Sequence, residues 1–370
     1  MLDFSFEYRA GGFVVAPALT ADRGTTALYG PSGAGKSLTL LCLAGLLRPT
    51  AGWIRLNGRT LLDASAGIQV PPHRRRVGVV FQEYALFPHL PVASNLAYGL
   101  VGVGRVEVEE RVHAMLRLLR LDDFGRRFPG ELSGGQRQRV ALGRGLIIQP
   151  ELLLLDEPFS ALDQMERERL RDEVMELLAA FGGTTLLVTH SLQEAYRMAT
   201  TIAVIDDGRI LQAGPRDEVL RRPRDRRVAE HVGASNLFRG TVMRVAAAAH
   251  VSWQGVALTV AADLPETGTT VDCCIRPENV RLVWPERIEG RANLLRGRLT
   301  SEVKRGIDYL LRFQADVGGG EISISCPEHL HSLMKVQPGM EGWISLPPDR
   351  LHVLEPVEAA SPGYSRRTRE

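Results

Sequence analysis

The octapeptide GPSGAGKS, Gly30 to Ser37, fits the pattern GxxxxGK[ST], a loop between a strand and a helix that wraps its backbone around phosphate groups. Its flanks supply the required context, with the β-prone TALY (Thr26 to Tyr29) before it and the apolar LTLLCLAGLL (Leu38 to Leu47) after it. Glycines at 30, 33 and 35 let the backbone curl, Lys36 can neutralise β and γ phosphates, and Ser37 can hold Mg²⁺. A second element lies downstream in LLLLDEP (Leu152 to Pro158), a hydrophobic run ending in Asp156, placed to support the metal, and Glu157, able to polarise an attacking water. His190 ends TTLLVTH and can orient that water, while Gln82 in VVFQ can reach the metal or the water. Between these elements, LSGGQRQR (Leu132 to Arg139) sets Ser133, Gly134 and Gly135 before a helical run, which aims free N–H groups and a positive dipole end at some anion.

The remainder of the chain sets limits on what this chemistry can serve. Its 370 residues suffice for two domains, and 44% hydrophobic with 24% charged residues is ordinary for a globular protein. A net charge of +2 gives no global field for a polyanion, and the basic runs HRRR (His73 to Arg76) and RRPRDRR (Arg221 to Arg227) read as solvated surface. The longest apolar runs fall short of a membrane span, and the start, MLDFSFEYRA, alternates like a strand rather than a secretion signal. Cys42, Cys273, Cys274 and Cys326 lack metal-ligand spacing and read as reduced packing residues, with the vicinal pair pointing to opposite faces of a strand.

Up to about residue 235 short apolar strands alternate with amphipathic helices, the pattern of an α/β sheet covered on both faces. After LLLLDEP, Leu170, Val174, Leu177 and Leu178 recur at i, i+4, i+7 and i+8 and form a buried face, with Glu168–Arg171 and Arg169–Glu173 expected to pair outside. Beyond VGASNLFRG the texture changes to short alternating runs broken by Gly and Pro, which predicts a small all-β domain. The expected division is 1–235, 236–358 and a frayed tail 359–370.

In their order and approximate spacing the P-loop, VVFQ, LSGGQ, LLLLDEP, SALD (Ser160 to Asp163) and LLVTH resemble the ATP-binding subunits of ABC transporters over almost the whole chain. The resemblance implies an α/β P-loop ATPase core with a helical subdomain and a C-terminal OB- or barrel-like regulatory domain. ATP and Mg²⁺ would be the cofactors, with Gly30, Pro31, Ser32, Gly33, Ala34, Gly35, Lys36, Ser37 and Leu38 cradling nucleotide. Ser37, Gln82 and Asp156 would serve the metal, and Glu157, His190 and Gln82 the hydrolysis. It further implies that Ser133, Gly134, Gly135 and Gln136 of one copy close over ATP held by another, with Asp163 at the seam, so the chain would work as a homodimer. Tyr8 is expected to stack on adenine, with Phe13 as its rival.

The segment EYALFPHLPVASNLAYGL after Gln82 is unusually aromatic, and Tyr84, Phe87 and Tyr98 read either as a satellite core or as a groove for a helix of a membrane permease. The resemblance favours the groove, and with it a peripheral place on the cytoplasmic face of the inner membrane and an indirect link to a solute-binding protein. The importer branch it resembles takes up molybdate, iron, sulfate, polyamines or sugars. IRPENVRL (Ile275 to Leu282) is similar to a segment of several of these, and RANLLRGRL (Arg291 to Leu299) to the RNVL stretch of molybdate-binding modules, although Ala292 stands where those place an arginine. The short amino terminus and the region from GPSGAGKS to LFPHL lean toward molybdate, with ferric iron, sulfate and polyamine as alternatives. A soluble ABC ATPase acting on nucleic acid or ribosomes is the rival class; no nucleic-acid partner is expected.

Overall fold

The computed structural model describes residues 1–160, 164–245, 248–317 and 320–355. Backbone contacts divide the chain into two compact units, the first Met1–Arg216 and the second beginning at Asp217. Residues 217–235 are therefore grouped with the second unit, and the expected tail 359–370 lies outside the described residues.

In the first unit the sheet runs in the order Arg209–Pro215, Thr201–Asp206, Gly24–Tyr29, Thr184–Thr189, Leu152–Asp156, Val77–Val80, and all neighbours except the first pair are parallel. Leu152–Asp156 and Thr184–Thr189 are buried along their whole length, which is why their sequences read as unbroken apolar or β-branched runs. Leu2–Ala10 belongs to a separate antiparallel sheet, pairing with Ala51–Leu56 and with Phe13–Val15, and its leading residues alternate buried with half-buried as the sequence predicts. Packed with this sheet and the P-loop helix Lys36–Ala44 is one apolar core.

A second core gathers the helices Val92–Ala97, Arg105–Leu118, Gly134–Leu146 and Gln164–Phe181. Leu170, Val174, Leu177 and Leu178 are its contribution from the last helix, as their spacing predicts. Of the two ion pairs expected outside, Arg169–Glu173 forms at 3.6 Å, but Arg171 turns inward, 3% exposed and 3.9 Å from Glu194, so the Glu168–Arg171 pairing is corrected. In the HRRR run His73, Arg74 and Arg76 are exposed as expected, and only Arg75 is corrected. Arg75 has no exposed surface; its guanidinium donates to the carbonyls of Val70 (2.8 Å), Cys42 (3.0 Å) and Leu43 (2.8 Å). The latter two carbonyls end the P-loop helix, so a buried cation meets the negative end of that helix's dipole. Among the described residues no helix is long and apolar enough to cross a membrane.

The second unit carries two five-stranded antiparallel sheets, one built on Asn236–Val245 and Thr270–Ile275, the other on Leu294–Arg305 and Asp308–Ala315. Phe238, Trp253 and Cys273 from the first meet Leu311, Phe313 and Ile344 from the second in a single core, so the unit is built on β-sheets, with the short helices Arg226–His231 and Glu328–Met334 beside them. The vicinal cysteines do point to opposite faces: Cys273 enters this core, whereas Cys274 packs with Ala229, Ala234 and Leu354. Burial pushes both thiols up to about 12, which keeps them protonated and unreactive.

Candidate nucleotide site

The strand register brings the motifs together. Thr189 pairs with Tyr29, Val188 with Asp156, and Leu155 with Val80, so four parallel strands end level with one another. Immediately beyond those ends lie the loop Gly30–Ser37, His190, Glu157 and the Phe81–Gln82 turn. The carboxyl edge of a parallel sheet is where α/β proteins bind ligands, and here motifs separated by over a hundred residues share it.

The loop is shaped by close approach. A Cβ on Gly30 would lie 2.0 Å from the Ile205 carbonyl oxygen, and Gly33 and Gly35 hold φ of 82° and 94° in the left-handed region. Gly35 caps the P-loop helix with no side-chain hydrogen bond, and the first helical bond runs from Thr39 N–H to Gly35 O at 2.9 Å. Helix geometry then leaves the N–H groups of Lys36, Ser37 and Leu38 without helical acceptors, a ready site for phosphate oxygens. Lys36, 5% exposed, folds back so that Nζ donates to Gly30 O (3.0 Å) and Pro31 O (2.8 Å). Burial lowers its pKa, while the charges of Glu157 and Asp156 work the other way.

Ser37 Oγ donates to Asp156 Oδ1 at 3.1 Å. Asp156 is 7% exposed, and burial raises its pKa, opposed by the Ser37 hydrogen bond and the Lys36 charge, with Glu157 adding to the rise. A buried carboxylate beside a hydroxyl, at the end of a phosphate loop, is an oxygen donor set that suits Mg²⁺ shared with phosphate. Next along the chain, Glu157 sits at φ 42°, an uncommon conformation for a side-chain-bearing residue. Its N–H donates to Val188 O (3.0 Å), and its carbonyl accepts from Ser160 N–H (3.2 Å) and Ser160 Oγ (3.0 Å). With the backbone pinned, the carboxylate meets His190 Nδ1 at 2.9 Å. Gln82 is exposed at the adjacent strand end.

Of the two aromatics expected near adenine, Phe13 reaches the loop: its ring carbon would lie 3.3 Å from a Cβ on Gly35. Tyr8 pairs with Val15 in the neighbouring ladder and packs on the first unit's core. Asp163 lies outside the described residues.

The second glycine-rich stretch forms its own helix start. Ser133 caps Gly134–Leu146, accepting from Gln136 N–H at 3.3 Å, while Ser133 N–H donates to Gln136 Oε1 at 2.9 Å, a reciprocal capping box. Glu166 joins it, its Oε1 accepting from Gly135 N–H (3.2 Å) and Ser133 Oγ (3.4 Å), a contact with no signal in the sequence. In the aromatic segment, Tyr84 is buried in the helical core, whereas Phe87 and Tyr98 pair at 4.2 Å with Tyr98 59% exposed. Asn95, fully buried, fixes that segment by donating to Phe87 O and Leu90 O and accepting from Phe87 N–H.

In the second unit Asn293, the centre of the stretch compared with molybdate modules, is 9% exposed. Its amide accepts from Thr259 N–H (2.7 Å) and donates to Thr259 O and Leu346 O (both 2.8 Å). Both amide hydrogens are spent on backbone, so this side chain acts as a clasp between strands rather than as a donor to an anion.

The family model for ABC transporter matches residues 19–160, and that for the TOBE domain matches 273–354. A spermidine/putrescine import ATP-binding protein of Frankia alni is 43% identical over 346 residues, which cover 89% of this chain and 72% of that protein. A molybdenum import ATP-binding protein of Mycobacterium tuberculosis is 37% identical over 333 residues, covering 86% and 88%. A sulfate/thiosulfate import ATP-binding protein of Caulobacter vibrioides is 46% identical over 228 residues, covering 60% and 66%.

Proposed function

The chain belongs to the ATP-binding subunits of ABC importers and is an ATPase, and we propose that it powers import by head-to-tail closure of two copies around two ATP molecules. The observation that carries this reading is the split between two glycine-rich helix starts: Gly30–Ser37 stands at the sheet edge with both carboxylates, whereas Ser133–Gln136 opens a different helix. In the proposed site the γ-phosphate lies between the loop of one copy and Ser133, Gly134, Gly135 and Gln136 of the other.

Within one copy, Lys36 and the N–H groups from Gly33 to Leu38 take the phosphates, and Phe13, the ring that meets the loop, stacks on adenine, with Tyr8 as the alternative. Ser37 and Asp156, joined by Gln82, are the residues that would hold Mg²⁺, which when bound offsets negative charge on the phosphate oxygens. Glu157 accepts the proton of the attacking water and His190, 2.9 Å from it, orients both. Asp163 is assigned to the dimer seam.

Shifting closure from 1:99 to 99:1 takes about 5.5 kcal/mol of differential binding, roughly half of it from each nucleotide if the two sites act equally. Hydrolysis removes that bias and reopens the pair. The aromatic pair Phe87–Tyr98 is the proposed face for a permease helix, and a peripheral position at the cytoplasmic side of the membrane is part of the same proposal.

A small oxyanion such as molybdate is the proposed cargo, with polyamine, sulfate or ferric iron as alternatives. The names of the relatives support a charged solute and divide among polyamine, molybdenum and sulfate. Uptake of labelled molybdate and of labelled spermidine by cells with and without the chain separates these cargoes.

The engine itself is tested by Ser133→Arg. The variant should bind ATP as a monomer but neither dimerise nor show cooperative turnover; cooperative hydrolysis surviving the substitution would rule out the shared site.

A further inference from the structure

Resting on the shared-site reading, we propose that Glu166 is an internal occupant of the Ser133–Gln136 half-site, an anion that an incoming phosphate must displace before the pair can close. The two helix starts differ in how their donors are met. At the P-loop helix no side chain caps the start. At the other, Gln136 N–H is met by Ser133 Oγ, and Gly135 N–H and the Ser133 hydroxyl both point to one carboxylate oxygen of Glu166. That carboxylate stands where the proposed γ-phosphate would stand, on the same donors.

Gly135 makes the arrangement possible. A Cβ there would lie 2.8 Å from Glu166 Oε1, so any other residue would push the carboxylate off the helix start. The hold is loose, however. Contacts of 3.2 and 3.4 Å are long beside the roughly 2.7–2.9 Å of a strong charge-assisted hydrogen bond, so a phosphate with more charge and better geometry can win the donors.

The displaced carboxylate has a place to go. Arg137, one helical turn beyond Ser133, lies over the Tyr84 ring at 5.9 Å, and its Nε is buried without a hydrogen-bond partner. Burial raises the pKa of the Tyr84 hydroxyl, and the charges of both Arg137 and Glu166 bear on it, which puts the two ions in one neighbourhood. Glu166 therefore has two positions, on the Ser133 and Gly135 donors or beside Arg137, and a phosphate from a second copy selects the second. A carboxylate left in the first position would face phosphate across a drying interface, a like-charge contact that opposes closure. Glu166 thus raises the ATP concentration at which the pair forms.

The test uses the full chain in a Glu157→Gln background, reading dimer formation by light scattering against ATP concentration. Glu166→Gln keeps the shape and removes the charge, and should lower the ATP midpoint at least about fivefold. Arg137→Gln removes the alternative position and should raise it. An unchanged or higher midpoint for Glu166→Gln overturns the proposal. Should that variant unfold, Arg137→Gln decides alone, and an unchanged or lower midpoint overturns it. Adding Ser133→Arg separates the two readings: if closure survives it, the shared site fails, whereas blocked closure with an unmoved Glu166→Gln midpoint removes only the role of Glu166.

Discussion

In the proposed site Lys36 takes the phosphates and Glu157 the proton of the attacking water, so replacing each should damage a different step. Lys36→Ala removes the ammonium that the Gly30 and Pro31 carbonyls hold ready at 3.0 and 2.8 Å, so ATP affinity should fall in equilibrium binding. Glu157→Gln should leave binding intact and slow hydrolysis by roughly 10² to 10⁴, read in single-turnover assays. Phe13→Ala should weaken adenosine nucleotides several-fold while Tyr8→Ala has a smaller effect, and the reverse ranking would return the stacking role to Tyr8. Lys36, Ser37, Asp156 and Glu157 were legible in the sequence because each belongs to a short motif whose chemistry is local. Arg75 and Glu166 were not, since only tertiary approach buries one arginine of HRRR or carries a helix carboxylate to Gly135, and Phe13, named beside Tyr8, could not be ranked against it because only folding brings its ring to Gly35.

At the scale of elements, the P-loop helix is held at both ends, by the glycine loop at its start and by the Arg75 fork at its finish. Arg75→Ala strips the donor from the Val70, Cys42 and Leu43 carbonyls and should cost roughly 2–4 kcal/mol, seen as a lower midpoint in denaturant unfolding. The helix Gln164–Phe181 shows what periodicity conveys. Its apolar face was legible from i, i+4, i+7 spacing, but the destination of Arg171 was not, because a buried partner, Glu194, lies on another helix. Strand existence was similarly legible, while register, which makes the site, depends on pairings such as Val188 with Asp156 that no local stretch encodes.

For the molecule as a whole, acid should loosen the second unit. His352 Nε2 reaches Pro223 O at 3.0 Å, and burial depresses its pKa below the ordinary value of about 6.5. Between that value and the lower folded one the unfolded chain binds the extra proton, so this contribution is intact above about pH 6.5 and is lost as pH falls through the folded pKa. Thermal unfolding of the full chain between pH 7.5 and 5 should show the loss, and His352→Gln should flatten it. The two-part organisation was visible in the change of sequence texture after VGASNLFRG; the grouping of residues 217–235 with the second unit was not, because contacts such as Glu355 N–H to Arg224 O join distant stretches.

The strand Gly24–Tyr29, which delivers the phosphate loop, has as its two neighbours Thr184–Thr189 and Thr201–Asp206. At about 5–20 residues per second, translation takes roughly ten to thirty-five seconds to bring out those neighbours after the loop itself has emerged. A half-made polypeptide therefore owns the complete phosphate-binding motif without the scaffold that gives it shape. Nascent chains should ignore cellular nucleotide until the last of these strands arrives, so capture of ATP would report that the first unit's central strands are in place while the second unit is still to be made.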